Sequence, residues 1–380
     1  MKVFLNIGKH PIYAELLEFP PEDVEYIAPI ETEDKPEHYG KLNNFKRKAL
    51  MALAAILRLP RMMRLNTNAD LVHTTRGILV LNKKPWVIDV EHAGSFVSFN
   101  YKQLKSLITS KIIRKSLSSK YCKKILPHSN FSKLSIEKSM DCSKFSDKIE
   151  VVYPAIRPCN LKKEKSKSFR MSFHGHHFLD KGGLEVLQAY EQLKKRHNVK
   201  LTVKTDNVPQ ELVAKYADVK WIINKRLPRD ELFKELYVNS AVFVLPSYID
   251  TFGFAVLEAM SAGTPVLTTD IAAFPELVTD GKTGFLIKSN LSCWNSDGMF
   301  SYDKDFKKKL LADKPEIVSQ LVEKLSSLIE NPKLKEKLGK NARKEIEEGK
   351  FSIKARNQKL KKIYEQALDK PNQAGKAQLH

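Results

Sequence analysis

Pro246-Ser247-Tyr248-Ile249-Asp250-Thr251-Phe252-Gly253-Phe254-Ala255-Val256-Leu257-Glu258-Ala259-Met260 is the stretch from which the fold is read. The apolar run Ala241–Leu245 before it has the length of a buried strand and stops at a Pro-Ser turn. After a carboxylate and a Phe-Gly-Phe loop an apolar helix begins, expected over Phe254–Ala262. Gly253 permits close approach of a ligand to the backbone. The helix N-terminus beyond it, including Phe254 and Ala255, offers unpaired N–H groups and the positive end of a dipole, a seat for a diphosphate. Asp250 stands at the edge of the loop and Glu258 about one turn into the helix, so two carboxylates can accept from vicinal hydroxyls of two different sugars.

Outward from this stretch, short apolar runs alternate with helical patterns. Strands are expected at Arg170–Gly175, Lys200–Thr205, Val219–Ile223, Ala241–Leu245 and Pro265–Thr268, with helices at Gly183–Arg196 and Arg229–Val238 between them. The N-terminal half repeats the alternation: strands at Lys2–Ile7, Asp70–His73, Trp86–Val90, Ile125–Pro127 and Glu150–Tyr153, and helices at Leu42–Leu59 and Tyr101–Ser119. Such alternation argues α/β architecture with doubly wound parallel sheets. A Pro-rich run from Tyr153 to Pro158 and a Lys/Ser run from Lys162 to Ser168 read as a linker. The expected organisation is therefore two Rossmann-like domains facing across a cleft: an N-terminal acceptor-side domain over 1–158 and a nucleotide-sugar donor-binding domain over 159–350. A helix over about 351–369 is expected to pack back on the first, and a disordered tail over 371–380 to end the chain. Asn290–Asp313 is polar and reads as an irregular insertion, followed by helices at Lys314–Glu330, Pro332–Glu348 and Ile353–Leu368.

The quoted stretch, continued through Ser261-Ala262-Gly263-Thr264-Pro265-Val266, Phe274-Pro275-Glu276-Leu277-Val278 and Asp280-Gly281-Lys282-Thr283-Gly284-Phe285-Leu286, resembles the family-4 retaining glycosyltransferases of GT-B fold. The family pattern places a carboxylate, seven residues and then the Glu of "LEAM-x-x-GTPV"; Asp250 and Glu258 fill the acidic positions. The resemblance implies that Asp250 holds donor-sugar hydroxyls and Glu258 the nucleotide ribose. Where the family carries Glu, this chain carries Asp250, one methylene shorter. The resemblance spans roughly residues 170–290 and is diffuse before them.

A second station is Phe173-His174-Gly175-His176-His177-Phe178-Leu179-Asp180-Lys181-Gly182-Gly183. A Lys beside glycine-exposed backbone N–H groups suits a phosphate. The family's similar stretch uses an Arg and a Lys to neutralise the donor diphosphate; Lys181 matches the Lys, and His176 stands in place of the Arg. Three histidines here also raise a metal site, but they point different ways from a strand end, and none is assigned. The third station is Val87-Ile88-Asp89-Val90-Glu91-His92-Ala93-Gly94. The family often carries a His near the donor sugar on the acceptor domain, which makes His92 the candidate; a strand-terminal His bonded within the fold is the other reading. Gly8 and Lys9 follow the first strand where the family shows a glycine pair.

The expected chemistry is transfer of a hexosyl-type sugar from a nucleotide-diphosphate sugar to an acceptor, with retention by resemblance alone. The nucleotide sugar is a co-substrate, and no cofactor is expected. No metal-binding D-x-D follows a strand; Asp303-Lys304-Asp305 fits the pattern but lies in the polar insertion. Cations and backbone dipoles, Lys181 foremost, would then stabilise the leaving group. A GT-B-like sugar-nucleotide epimerase or a glycogen-synthase relative is the alternative enzyme. A non-enzymatic polyanion-binding protein is the alternative of another class.

Charge bears on that last alternative. The formal net charge is +21, and Lys41 to Lys133 holds nineteen Lys and Arg against three acids. Asymmetry of this kind suits a polyanionic partner. No nucleic-acid motif or interleaved aromatics accompany it, so nucleic acid is not an expected partner. An anionic membrane surface presenting a glycan or lipid-linked acceptor is. No apolar run reaches the roughly 18–20 residues of a span, the N-terminus does not read as a signal peptide, and Cys122, Cys142, Cys159 and Cys293 are scattered. The expected site is the cytoplasm, with peripheral docking on the inner face of the cell membrane through the basic stretch.

Overall fold

The computed structural model describes residues 1–6, 11–28 and 59–369. Gly8 and Lys9, the body of the helix expected at Leu42–Leu59, and the tail from 371 lie outside the described residues. The chain divides into two compact units, Met1–Pro154 with Asp297–Met299 and Arg356–His380, and Ala155–Ser296 with Phe300–Ala355.

The first unit contains β1 (Lys2–Asn6), α1 (Pro11–Glu18), β2 (Glu25–Ile27), β3 (Met62–Met63), β4 (Leu71–Thr74), β5 (Leu79–Val80), β6 (Trp86–Val90), α2 (Tyr101–Leu104), α3 (Leu107–Leu117), β7 (Cys122–Pro127) and α4 (Asn130–Ser139). Among the described residues its main sheet runs β2-β1-β4-β6-β7, parallel throughout. Val87, Ile88 and Val90 are fully buried, as strands covered on both faces must be. One face packs Phe96, Ile113, Leu117 and Ile136. The other packs Tyr13 and Leu16 with Leu360, Ile363 and Tyr364 of a C-terminal helix, Ile353–Ala367. Arg356 ties that helix down by donating to the carbonyls of Glu15 and Phe19 at 3.2 and 2.8 Å.

Two expectations change here. The helix expected over Tyr101–Ser119 is broken at Lys105–Ser106, where Ser106 adopts the extended backbone of a helix N-cap. Glu150–Tyr153 is not a ladder strand: its backbone bonds to β7 are Glu150 N to Ile125 O and Val152 N to Pro127 O, both 2.9 Å, beside an isolated bridge between Ile149 and Ile125. Pro154 follows and has no N–H to continue the ladder.

The second unit contains β8 (Phe169–His174), α5 (Gly183–Leu193), β9 (Val199–Thr205), α6 (Gln210–Lys215), β10 (Lys220–Ile223), α7 (Arg229–Phe233), β11 (Val242–Leu245), α8 (Phe254–Ser261), β12 (Val266–Thr269), α9 (Phe274–Leu277), β13 (Gly284–Ile287), α10 (Lys304–Leu311), α11 (Pro315–Glu330) and α12 (Pro332–Glu347). Its parallel sheet runs β10-β9-β8-β11-β12-β13. Counted within the unit this is the order 3-2-1-4-5-6, which reverses between β8 and β11. Ligands of such sheets sit beyond the carboxyl ends of the strands at that reversal. The loops leaving β8 and β11 are the two motif stations of the second unit.

The polar segment after Asn290 is not wholly irregular, since it carries α10. Asp303 is that helix's N-cap, accepting from Phe306 N at 2.8 Å. The D-x-D pattern there is a helix start.

Candidate active site

Backbone geometry brings the two loops of the second unit together. Gly182 has φ +76°, and a Cβ there would stand 2.2 Å from the carbonyl oxygen of Pro246. Only glycine lets α5 begin so close to the end of β11. The Tyr248 N–H donates to the Asp180 carbonyl at 3.0 Å. The Lys181 stem lies against Gly175, where a Cβ would meet Lys181 Cγ at 2.6 Å. The ammonium is thereby carried across to the other loop. Lys181 Nζ donates to Asp250 Oδ2 at 2.7 Å and to the Ile249 carbonyl at 2.6 Å. The Asp250 carboxylate also accepts the Thr251 N–H at 2.9 Å.

Gly253 is the N-cap of α8, with φ +90° and ψ 58°. A side chain there would strike the buried Phe274 ring at 2.3 Å. Phe254 and Ala255 open the helix at its N-terminal end, half-buried. Glu258, one turn on, accepts from Tyr237 Oη at 2.7 Å.

The three histidines of the second station have separate partners. His174, at the end of β8, reaches Tyr237 Oη through Nδ1 at 3.0 Å. Burial, followed by the like charges of Lys204 and His176, pulls its pKa down to about 3, so the ring is neutral. His176 is exposed and pairs through Nδ1 with Asp206. Although partial burial works to raise it, the Asp206 carboxyl is held below its ordinary range, chiefly by that hydrogen bond. His177 stands 3.4 Å from Asn207 Nδ2.

His92 lies in the first unit. It is the N-cap of the 3-10 turn Ala93–Val97 and accepts the Gly94 N–H on Nδ1 at 3.1 Å. The Tyr101 hydroxyl also meets Nδ1, and the two rings stack 5.4 Å apart. The ring is almost wholly buried, which draws its pKa down to about 3. An Nδ1 that accepts a backbone N–H leaves the proton of the neutral ring on Nε2.

Two residues of the second unit, Tyr237 and Trp294, escaped the reading of the sequence. Tyr237 donates to Glu258 and is itself met by His174, which the sequence had raised only for a metal. Trp294 donates its indole N–H to the Asp250 carbonyl at 2.5 Å. The neighbouring Cys293 N–H donates to the Tyr248 carbonyl at 3.1 Å, and Tyr302 Oη reaches Asp180 at 3.2 Å. The segment taken for an insertion thus braces both loops. Its signal was present: Cys293, Trp294, Phe300 and Tyr302 are large or buried-type residues in an otherwise polar stretch, and Cys293 and Trp294 are buried.

Residues 160–294 match the model of the family described as glycosyl transferases group 1. The match covers 135 of the chain's 380 residues, the segment that holds both motif stations of the second unit. The capsular polysaccharide biosynthesis glycosyltransferase CapM of Staphylococcus aureus is 28% identical over 208 residues, which cover 52% of this chain and 46% of CapM. The chain spans about half the length of the curated relatives it matches first. The crystal structure of HepE from Anabaena in complex with UDP-glucose is similar with a TM-score of 0.61 and 14% identity, over 96% of this chain and 100% of that one. WaaG, a glycosyltransferase involved in lipopolysaccharide biosynthesis, is similar with a TM-score of 0.58 and 16% identity, over 96% and 99% of the chains. These structures have the GT-B fold, which this chain shares.

Proposed function

We propose that this chain is a hexosyltransferase that takes its sugar from a nucleotide-diphosphate sugar. The observation that carries the reading is the Lys181–Asp250 pair joining the loops that leave β8 and β11, where the sheet order reverses, with Glu258 in the helix that follows. Two of the three ammonium protons of Lys181 go to Asp250 and Ile249, and the third is available to a diphosphate oxygen seated at the start of α8. Gly175 and Gly253 keep side chains away from the phosphates, and Glu258 takes the ribose hydroxyls. Asp250 holds donor-sugar hydroxyls. His176, paired with Asp206, stands where the family's Arg would approach the diphosphate. His92 remains the first unit's candidate for a sugar contact.

In the reaction the anomeric C–O bond breaks and its electron pair goes to the diphosphate oxygen. The acceptor oxygen bonds to the anomeric carbon, and its proton leaves with the diphosphate. Charge growing on the leaving group meets Lys181 and the helix dipole, which act without reorganising. Retention rests on family resemblance, and metal independence on Lys181 occupying the place where a cation is needed. A UDP-sugar is the first donor to try, because HepE is a structural relative that binds UDP-glucose. The expected result is release of nucleoside diphosphate that requires an acceptor and persists in EDTA. Complete loss in EDTA, restored by Mg²⁺ or Mn²⁺, would overturn the metal-independent reading. Turnover that needs no acceptor would favour the epimerase alternative.

The acceptor is proposed to be a lipid-linked glycan met at an anionic membrane surface. CapM and WaaG serve capsular polysaccharide and lipopolysaccharide synthesis. A specific feature of the first unit favours the same site. Leu107 and Ile108, at the start of α3, are 89% and 63% exposed, and Phe99 is 45% exposed. Lys102, Lys105, Lys111 and Lys115 are exposed around them, and no acid occurs between His92 and Ile136. Apolar side chains ringed by lysines fit the boundary of a bilayer. Each basic residue there adds about 1 kcal/mol near an anionic leaflet. No helix among the described residues is long and apolar enough to cross a membrane. In vesicle co-sedimentation, binding to phosphatidylglycerol-containing vesicles should exceed binding to neutral ones and weaken in high salt. Changing Leu107 and Ile108 together to Ser should reduce it at least tenfold. Equal partition onto both vesicle types, or none, would mean a soluble acceptor.

A further inference from the structure

Glu258 is held by a side chain from outside its own helix. The hydroxyl that reaches it comes from Tyr237, within the five-residue π-helical turn Lys234–Val238 that follows α7. Such wide turns break the regular stacking of a helix and often occur at functional positions. This one places the Tyr237 ring in the core, edge-on to Phe233 and Phe243 at 5.3 and 5.2 Å. Tyr237 is fully buried. Its rotation is blocked, and its hydroxyl can point only along a narrow direction.

Proton bookkeeping then fixes the chain of hydrogen bonds. An ionised carboxylate only accepts, so the single phenolic proton of Tyr237 goes to Glu258 Oε2 at 2.7 Å. The contact between Tyr237 Oη and His174 Nδ1 at 3.0 Å must therefore be donated by His174. Burial keeps that imidazole neutral, the bond to Tyr237 requires its one ring proton on Nδ1, and burial likewise holds the phenol protonated. The chain His174→Tyr237→Glu258 thus runs one way and starts at the end of β8, the strand that also leads to Lys181.

We propose that Tyr237, oriented by His174, is a positioning residue that sets the Glu258 carboxylate for the vicinal hydroxyls of the nucleotide ribose. This rests on the assignment of Glu258 to the ribose. A hydrogen bond from a buried phenol fixes one carboxylate oxygen and so the plane in which the carboxylate meets two hydroxyls. The consequence is selective: the ribose contact depends on Tyr237, and the diphosphate contact through Lys181 does not.

The test compares UDP with 2′-deoxy-UDP and 3′-deoxy-UDP by calorimetry in the wild type, Tyr237→Phe and Glu258→Ala. The wild type should bind the deoxy forms about tenfold more weakly. In Tyr237→Phe the affinity for UDP should fall about fivefold, and the deoxy penalty should shrink to about twofold. Affinity for inorganic pyrophosphate should not change. The KM for the donor should rise by the same fivefold, with kcat within twofold. A wild-type deoxy penalty that disappears in Glu258→Ala but persists in full in Tyr237→Phe overturns the positioning role and leaves the ribose assignment standing. No deoxy penalty in the wild type overturns both. A uniform loss for UDP, deoxy-UDP and pyrophosphate in Tyr237→Phe marks a general packing defect and also overturns the proposal.

Discussion

Replacing Lys181 by Ala is expected to cost roughly tenfold to a hundredfold in affinity for a nucleoside diphosphate, and much less for the monophosphate. The ammonium donates to Asp250 Oδ2 at 2.7 Å and to the Ile249 carbonyl at 2.6 Å. A charge-assisted hydrogen bond to a phosphate contributes about 1.5–3 kcal/mol, which sets that range. Removal also leaves the Asp250 carboxylate, largely buried, without its cation. Unpaired, it would repel the phosphate that the cation used to attract. The companion variant, Asp250→Asn, keeps an acceptor for Lys181, so diphosphate affinity should stay within a few fold while turnover of the nucleotide sugar falls. Titration calorimetry on the two variants separates the roles. Equal losses for mono- and diphosphate in Lys181→Ala would place the ammonium away from the phosphates.

The second large effect is expected from a single methyl group. Gly253→Ala asks an alanine to hold φ +90° and puts its Cβ 2.3 Å from the Phe274 ring. Phe274 is fully buried in the core, so the ring has nowhere to go. Strain of this kind costs about 1–3 kcal/mol, and each kcal/mol lowers Tm by about 2–4 °C in a domain near 200 residues. The loop can relieve the strain only by moving, which displaces Asp250 and the first N–H groups of α8 together. Calorimetric unfolding should show a Tm several degrees lower, and diphosphate binding should fall at least tenfold. An unchanged Tm with full binding would mean that the backbone at Gly253 is not left-handed.

Much of this site could be read from residue order. Val242–Leu245 is buried throughout, and a short apolar run ended by Pro246-Ser247 has few other readings. The Lys181-Gly182-Gly183 turn and the Gly253 turn stand out because glycines mark where two loops press together. The partners behind them do not stand out. Tyr237 lies in a segment with ordinary helical spacing, and nothing in that spacing announces a π turn. Trp294 acts on Asp250 from 44 positions away in the chain, and its polar neighbours hide it. The break between α2 and α3 was missed because Leu104, Leu107 and Ile108 continue the apolar pattern. Leu107 and Ile108 face solvent instead, which periodicity alone does not reveal.

The central claim is that the second unit holds a nucleotide-diphosphate sugar through Lys181, Asp250 and Glu258 for transfer. The most direct measurement is nucleoside diphosphate release from a panel of UDP-, GDP- and ADP-sugars with a lipid-linked glycan acceptor. The wild type should turn over one nucleotide class, and Glu258→Ala should turn over that class at least tenfold more slowly. Release at the same rate from Glu258→Ala and Lys181→Ala would contradict the account, as would binding of none of the three nucleoside diphosphates.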